Sequence, residues 1–276
     1  MDYLQVAIKA SLESGKILRK YFKRGVKSQN KFDGSPVTIA DKESERKVVS
    51  ILRTYFPDHN ILGEEFTYKK TDSEFKWIID PLDMTKNFFR GVPFYSNLIA
   101  LEKDGKVISG VINLPEINTL AWASLGKGAF VNGRRVHVSK TKTLDQSFIV
   151  FGDIDKRATY PYTKGTFNLI DKCRFNRGYG DALGYVLLAK GNVDIMLDRG
   201  KPWDVAPGKI IVEEAGGKFT DYSGKDTIYN KKPSVYLLQF LIASRKLVYL
   251  LSLVVVLLFY VYPPCYFYPT LVYKIA

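Results

Sequence analysis

WIIDPLDMTKNF, residues 77–88, is the stretch of sequence that decides the interpretation of this chain. Its apolar start predicts a buried strand, and the polar residues after the acidic turn predict the beginning of a helix. Asp80 and Asp83 stand where the strand stops, and Thr85 follows directly. Carboxylates beside the free N–H groups of a helix start combine ligands for a hard cation with a binding site for an anion. The alternative is an ordinary turn in which an aspartate caps the helix.

Length and composition restrict the class of protein. The chain has 276 residues and 46% hydrophobic content, which is enough for one large domain or two closely packed ones. The net charge of +13 is compatible with nucleic acid, a membrane surface or a small anionic substrate. The basic residues are scattered and no nucleic-acid-binding motif is visible, so no nucleic-acid partner is predicted. Cys173 and Cys265 form no disulfide framework, and no signal peptide precedes the first amphipathic pattern, which together predict a cytoplasmic protein.

Periodicity divides the chain into two differently built parts. Residues 2–22 predict an amphipathic helix, and a second helix is expected to begin near Asp41 and to end at Pro57. Residues 95–138 have the pattern of a β-meander, so we expect an antiparallel sheet with both helices on one face. After about residue 145 strands and helices alternate, which predicts an α/β arrangement.

Acidic residues recur where predicted elements begin or end. They are Asp41, Glu64, Asp80, Asp83 and Asp204. Each one alone fits a helix cap or a solvated side chain, but together they come from well-separated segments and would repel one another if they converged without cations. Such hard oxygen donors suit Mg²⁺. No Ser-His-Asp or Cys-His set accompanies them, and His59 and His137 lie outside these motifs, so both are interpreted as structural or surface residues. The chemistry that fits is attack of a metal-bound water on a phosphate monoester, with a second cation shielding the leaving oxygen.

Three motifs resemble those of the inositol monophosphatase superfamily, the Mg²⁺-dependent, lithium-sensitive sugar-phosphate phosphatases. They are GEE at 63–65, DPLDxTxNF at 80–88, and WDxAxG at 203–208 followed by EAGG at 214–217. The resemblance covers roughly residues 5–245. It implies a layered αβαβα sandwich, two Mg²⁺ ions with room for a third, a small phosphorylated metabolite as substrate, and a homodimer.

The resemblance also implies a role for individual residues. The first Mg²⁺ is assigned to Glu64, Asp80 and the Leu82 carbonyl, and the second to Asp80, Asp83 and Asp204. Glu65 is an accessory residue that would support a third ion. The catalytic set is Glu64 with Thr85, which would be hydrogen-bonded to Asp41 and orient the attacking water. The backbone N–H groups of Met84 and Thr85 would receive the phosphate, and Lys31 and Asp33 match a loop that covers the site.

Two residues depart from the family pattern. Met84 stands where the family has glycine, and Pro207 replaces a usual alanine. If the backbone at position 84 has a positive φ, methionine costs on the order of 1–3 kcal/mol of strain. We therefore expect Met84 to be tolerated while narrowing the mouth of the site. Pro207 is expected in the first turn of its helix, where proline has little effect.

The turn RGYGDA at 177–182 occupies the position that selects the substrate in the family. Arg177, Gly180 and Asp181, together with Asp83 and Asp204, are the predicted substrate-binding residues. Inositol phosphatases usually have a small or hydroxyl residue at the place of Asp181, and a glutamate at the place of Leu197. An acidic Asp181 suits the ammonium group of an amino alcohol, unless it only caps the following helix. Together with the segments DGSPVTIAD at 33–41 and PDHNILG at 57–63, this turn looks more like the histidinol-phosphatase branch.

We therefore expect a phosphoric monoester hydrolase that prefers histidinol phosphate. Activity on inositol 1-phosphate, or on a broad range of sugar phosphates including fructose 1,6-bisphosphate, is the alternative. A catalytically weak, membrane-tethered binding protein that keeps the fold is an alternative of another class.

The C-terminal tail is unlike the rest of the chain. Residues 247–273 contain no charged residue, and Arg245 and Lys246 precede them. The predicted organisation is therefore a part with the helix pair and most metal ligands (1–142), an α/β substrate-side part (143–245) and a hydrophobic tail (246–276). A membrane anchor, which would leave the catalytic part in the cytoplasm, an aberrant terminus and a packed or oligomer-forming helix are the open interpretations of this tail.

Overall fold

The computed structural model describes residues 2–24, 29–30, 36–37, 39–152, 163–221, 224–229 and 234–239. The helices are α1 (Tyr3–Arg24), α2 (Ile39–Tyr55), α3 (Thr85–Phe89), α4 (Thr163–Lys172), α5 (Asp181–Ala189) and α6 (Pro202–Glu214), with a 3₁₀ turn at Leu144–Gln146. The strands are β1 (Gln29–Asn30), β2 (Pro36–Val37), β3 (Asn60–Gly63), β4 (Phe75–Asp83), β5 (Ser96–Lys103), β6 (Lys106–Leu114), β7 (Thr119–Ser124), β8 (Gly128–Val131), β9 (Arg134–Val136), β10 (Phe148–Phe151), β11 (Phe175–Arg177), β12 (Ile195–Gly200), β13 (Lys218–Asp221) and β14 (Ser234–Gln239). Lys31, Asp33 and the tail from residue 246 onward, all named above, lie outside these ranges.

The first large sheet has seven strands in the order in which they occur in the chain, β3 to β9. β3 is parallel to β4, and every later pair is antiparallel, as the meander pattern predicts. Asp104 and Asn132 adopt positive φ, and each precedes a glycine with positive φ. These pairs form tight turns that match the twist of the flanking strands, so they fix the register of the hairpins on either side.

The two early helices lie together on one face of this sheet. Val48 and Leu52 of α2 pack with Trp77, Ile79 and Ile99 of the sheet in one buried cluster. The opposite face carries α5 and α6, because Ile78 and Leu98 are buried with residues of those helices. Successive residues of β4 therefore face opposite helix layers, as strand geometry requires.

The second large sheet has five strands in the order β11-β10-β12-β14-β13, with parallel pairing around β10 and antiparallel pairing around β14. Val150 and Met196 face α5 and α6, whereas Ile149 and Ile195 face Leu169 of α4. The order of layers is thus α1 and α2, the first sheet, α5 and α6, the second sheet, and α4. The α/β character predicted for the second half is confirmed.

One local prediction was wrong. α6 begins at Pro202, so Pro207 is the sixth helical residue and lies in the second turn instead of the first. Proline has no N–H to donate to the Trp203 carbonyl four residues earlier. The backbone of Pro207 packs tightly against β6, because a Cβ added to Gly110 would lie 2.9 Å from the Pro207 carbonyl oxygen. Within the described ranges, no helix has the length and apolar composition needed to cross a bilayer.

Candidate active site

The site begins where β4 stops pairing regularly with β5. The register shifts between Asp80 and Asp83, so the strand bulges at Pro81 and Leu82. Asp80 is almost completely buried, and its Oδ1 accepts a hydrogen bond of 3.0 Å from the Leu82 N–H. Such a bulge redirects side chains at the end of a strand. Here the carboxylates of Asp80 and Asp83 lie close enough for the charge of Asp83 to act on Asp80.

The predicted acidic residues do come together around this bulge. Burial is the main factor that raises the pKa of Asp80 well above its usual value, and the negative charges of Glu64, Asp83, Asp204 and Asp41 raise it further. These residues lie in α2, directly after β3, in β4 and in α6. Elements distant in the chain therefore bring five carboxylates to one place, and the resulting repulsion favours the neutral forms unless a cation is present.

Asp204 lies in the first turn of α6 and has two roles. Its Oδ2 accepts a hydrogen bond of 2.6 Å from the Lys201 N–H, which satisfies the start of the helix. Burial and the Glu64 carboxylate raise the pKa of Asp204 to about 7, and the side chain also shares a hydrogen bond with Asp80. The backbone before the helix approaches closely, because a Cβ added to Gly200 would lie 2.5 Å from the Asp204 Cβ. The helix cap predicted as the alternative thus coexists with membership of the acidic cluster.

The donor set suits a hard divalent cation in its chemistry. All the converging ligand groups are oxygens, most of them are buried or half-buried, and they repel one another. In the described part of the chain, however, no three acidic, thiol or imidazole side chains are arranged to hold one ion. Oxygens of the site instead accept hydrogen bonds from neighbouring groups, as Asp83 Oδ1 does from the Met84 N–H at 2.8 Å. The Thr85 hydroxyl likewise donates to the Leu82 carbonyl oxygen at 2.9 Å.

Met84 adopts a left-handed backbone, with φ 61° and ψ 41°. This explains why glycine is expected at this position, because a side chain with a Cβ is strained there. Met84 precedes α3, which has only five residues, so the dipole of that helix contributes little to anion binding. Its N–H is engaged by Asp83 in this structure. The phosphate contacts of Met84 and Thr85 therefore stay a prediction.

The predicted substrate turn meets this cluster through Asp83. The Oδ2 atom of Asp83 accepts hydrogen bonds of 3.1 Å from the Ala182 N–H and from the Ser96 hydroxyl. Burial, Asp181 and Asp204 raise the pKa of Asp83 well above its usual value, although its side chain stays partly open to solvent. One carboxylate therefore joins the first sheet to α5 of the second half.

Asp181 is the first residue of α5 and has a positive φ of 52°. The residue directly before the helix is Gly180, and the left-handed φ of Asp181 sets it apart from the helical residues that follow, so both interpretations of Asp181 stay open. Gly180 is required by crowding, because a Cβ there would lie 2.1 Å from the Gly152 Cα. Arg177, by contrast, is exposed on β11, and its guanidinium donates to the Asn176 carbonyl at 2.7 Å. Of the three predicted residues of this turn, Gly180 and Asp181 therefore lie at the cluster, while Arg177 has no described contact with it.

Sequence reasoning missed two members of the site, Asp198 and Tyr185. Asp198 is buried within β12, directly after its apolar residues, and burial followed by the charge of Asp181 raises its pKa well above its usual value. The fully buried Tyr185 hydroxyl lies beside Asp198 but makes no hydrogen bond of regular geometry to any residue that the structure describes. A Cβ added to Gly208 would lie 2.2 Å from the Tyr185 ring, so the glycine of the WDxAxG motif makes room for it. The sequence signal that could have identified Asp198 is its place directly after the apolar residues 195–197.

Comparison with known proteins decides the family. The model of the inositol monophosphatase family matches residues 2–250. This chain belongs to the inositol monophosphatase family. The resemblance carried by the three motifs is thereby confirmed, and the chain is a phosphatase, a phosphoric monoester hydrolase that acts on small phosphorylated metabolites.

Two curated members of the inositol monophosphatase family illustrate the range of named activities. The histidinol-phosphatase of Chlorobaculum parvum is 37% identical over 235 residues, which cover 82% of this chain and 88% of the relative. The fructose-1,6-bisphosphatase/inositol-1-monophosphatase of Aquifex aeolicus is 35% identical over 227 residues, which cover 79% and 85%. Among solved structures, the inositol monophosphatase of Anabaena superposes with a TM-score of 0.78 at 34% identity, covering 91% of this chain and 95% of that one. Members of the family generally depend on Mg²⁺.

Proposed function

We propose that this chain is a Mg²⁺-dependent phosphomonoesterase whose preferred substrate carries an ammonium group on its leaving alcohol, with histidinol phosphate as the first candidate. The observation that supports this preference is the acidic character of the leaving-group side. Asp181 and Asp198 lie close enough for the charge of Asp181 to raise the pKa of Asp198, and Asp181 also acts on Asp83. A cationic group on the substrate would relieve this repulsion, whereas a neutral polyol would not.

The metal-binding part of the proposal rests on the converging carboxylates. Glu64, Asp80 and the Leu82 carbonyl would hold one Mg²⁺, Asp80, Asp83 and Asp204 a second, and Glu65 would support a looser third. When bound, Mg²⁺ supplies an acidified water and neutralises charge on the phosphate. For the Leu82 carbonyl to take part, the Thr85 hydroxyl must share or release its present hydrogen bond to that oxygen.

The chain's own residues would then divide the remaining work. Glu64 and Thr85 would orient the attacking water, and Asp41, which is buried beside Asp80, would accept the Thr85 hydroxyl hydrogen bond. Asp181 would hold the ammonium group, and Asp198 behind it would keep the local potential negative. Tyr185 has a buried hydroxyl with no regular partner, and it would donate to Asp198 once a substrate cation makes the ionised carboxylate favourable.

A substrate panel tests this preference. Histidinol phosphate, inositol 1-phosphate and fructose 1,6-bisphosphate are compared by kcat/KM with Mg²⁺ present, and inhibition by Li⁺ serves as a control. We expect the highest value for histidinol phosphate. A clearly higher value for inositol 1-phosphate would refute the ammonium preference and would favour the broad sugar-phosphate alternative.

The alternative of a catalytically weak binding protein is tested by Asp83→Asn. Mg²⁺-dependent phosphate release that this substitution abolishes rejects the alternative. Asp194→Asn is the matched control, because Asp194 is buried and, like Asp83, accepts hydrogen bonds from a serine hydroxyl and a backbone N–H, those of Ser139 and Phe148, away from the acidic cluster. Release that is equal in wild type and Asp83→Asn would support the binding protein.

A further inference from the structure

Helix α2 presents a buried polar stripe to the two segments that carry most of the acidic cluster. Asp41, Ser44 and Glu45 lie three and four positions apart, hence on one face, and each has at most 1% of its surface exposed. The same helix continues with Val48 and Leu52 in the apolar core. Fully buried polar side chains at the end of an apolar face are costly unless their bonds are satisfied, so their partners are informative.

Glu45 holds the backbone of the GEE motif. Its Oε2 accepts a hydrogen bond of 2.9 Å from the Glu65 N–H, and its Oε1 accepts from the Phe66 N–H at 3.1 Å and from the Tyr68 hydroxyl at 2.8 Å. On the other side of Glu64, a Cβ added to Gly63 would lie 2.1 Å from Glu45 Oε1. The Glu45 carboxylate therefore fixes the chain both before and after Glu64.

Ser44 holds the acidic turn of β4 in a similar way. Its hydroxyl donates to the Pro81 carbonyl oxygen at 2.8 Å and lies 2.6 Å from the Ser14 hydroxyl, which donates to it in turn. Pro81 lies between Asp80 and Leu82, inside the bulge. Ser44 and Glu45, which are adjacent in α2, are thus hydrogen-bonded to the backbone of the segments that carry Asp80 and Glu64.

We propose that Glu45 and Ser44 are positioning residues which set the distance between Glu64 and Asp80 and thereby the affinity of the site for Mg²⁺. Neither residue touches the substrate or the reacting atoms in this assignment. Partners that orient metal ligands in this way typically change metal affinity 10–100-fold when they are replaced. The inference rests on the metal-binding part of the proposed function but not on the choice of substrate.

Glu45→Gln is the main test variant, because it keeps the shape of the side chain. An amide presents one N–H₂ group to donors, so either the Glu65 N–H or the Phe66 N–H and Tyr68 hydroxyl lose their acceptor. We expect the dissociation constant for Mg²⁺, measured by calorimetric titration of the metal-free protein and by Mg²⁺-dependent Tm, to rise roughly tenfold. Glu102→Gln is the matched control: Glu102 is also buried and bonded to a tyrosine, Tyr229, but on the far part of β5, and its substitution should leave Mg²⁺ affinity unchanged.

Ser44→Ala and Ser14→Ala form a second, milder pair. Both lose the bond between the two serines, but only Ser44→Ala leaves the Pro81 carbonyl without its donor. We expect about a threefold weaker Mg²⁺ affinity for Ser44→Ala, the equivalent of one neutral hydrogen bond, and no change for Ser14→Ala. This pair keeps the proposal testable if Glu45→Gln fails to fold.

The outcomes are distinguishable. A purely structural role would lower the Tm of the metal-free variants and leave the Mg²⁺ dissociation constant unchanged, and that result would overturn the proposal. Equal weakening in each variant and its control would overturn it as well. If the wild-type protein binds no Mg²⁺, the metal-binding part of the proposed function is refuted as well. A substrate preference other than histidinol phosphate would refute only the proposed recognition of an ammonium group and would leave this inference unaffected.

Discussion

Replacing Met84 by glycine and, separately, by alanine distinguishes the cost of its left-handed backbone from the value of its side chain. With φ 61° and ψ 41°, a residue that has a Cβ costs about 1–2 kcal/mol relative to the right-handed conformation. Glycine removes this cost. It also loses more conformational entropy on folding than alanine does, which costs about 0.5–1 kcal/mol. Both variants lose the packing of the Met84 side chain on the adjoining core cluster, so this term cancels in their comparison.

We therefore expect Met84→Gly to be more stable than Met84→Ala by about 1 kcal/mol, measured as the difference in free energy of unfolding in urea. The same pair of residues at Ser50, an exposed position within α2, serves as the control, because there alanine should be the more stable by about 1 kcal/mol. An alanine variant at position 84 as stable as the glycine variant would refute the strain.

The same two variants test whether the Met84 side chain narrows the mouth of the site. Both should raise kcat/KM to the same extent, because both remove that side chain. Unchanged KM and kcat would show that the side chain does not restrict access.

Three further predictions concern the site and its support. Asp181→Asn should raise KM for histidinol phosphate roughly tenfold, since a charge-assisted hydrogen bond is lost, and should change KM for inositol 1-phosphate little. Equal changes in the KM values of the two substrates, measured by steady-state kinetics, would contradict this prediction. The raised pKa of Asp204, about 7, means that the metal-free protein loses stability as pH rises from the unfolded pKa through this value; Mg²⁺ should consequently raise Tm more at about pH 8 than at about pH 5, and an equal rise would count against it. Gly208→Ala should destabilise by about 1–3 kcal/mol in a urea titration, because its Cβ would lie 2.2 Å from the Tyr185 ring; wild-type stability would show that the ring moves freely.

The predictable parts of this protein are those that short sequence patterns specify. The Asp-Gly and Asn-Gly turns defined the meander, and the apolar run before Asp80 defined the strand that carries the acidic turn, because local backbone preferences decide both. The convergence of Glu64, Asp80 and Asp204 was predictable only through the motifs, since their separation in sequence is large and nothing local joins them.

The remaining parts depend on tertiary packing. Met84 has its positive φ directly after the bulge against β5, and the identity of the residue does not reveal this sign. Asp198 and Tyr185 meet because α5 packs on β12, and no spacing in the sequence relates them. Pro207 was predicted one turn too early, because the helix begins at Pro202, before the Trp-Asp pair. The phosphate contacts, the number of bound ions and the role of Arg177 stay predictions.

The two hydrogen bonds that Asp83 Oδ2 accepts, from Ser96 in β5 and from the Ala182 N–H in α5, also restrict how the protein can be recombined. A chimaera that takes residues 143–245 from a relative of different specificity would exchange the predicted leaving-group side. It would also exchange the Ala182 N–H, which donates a hydrogen bond to Asp83 in the first sheet. We therefore expect such a chimaera to transfer specificity only when the first turn of α5 stays in register with the bulge of β4.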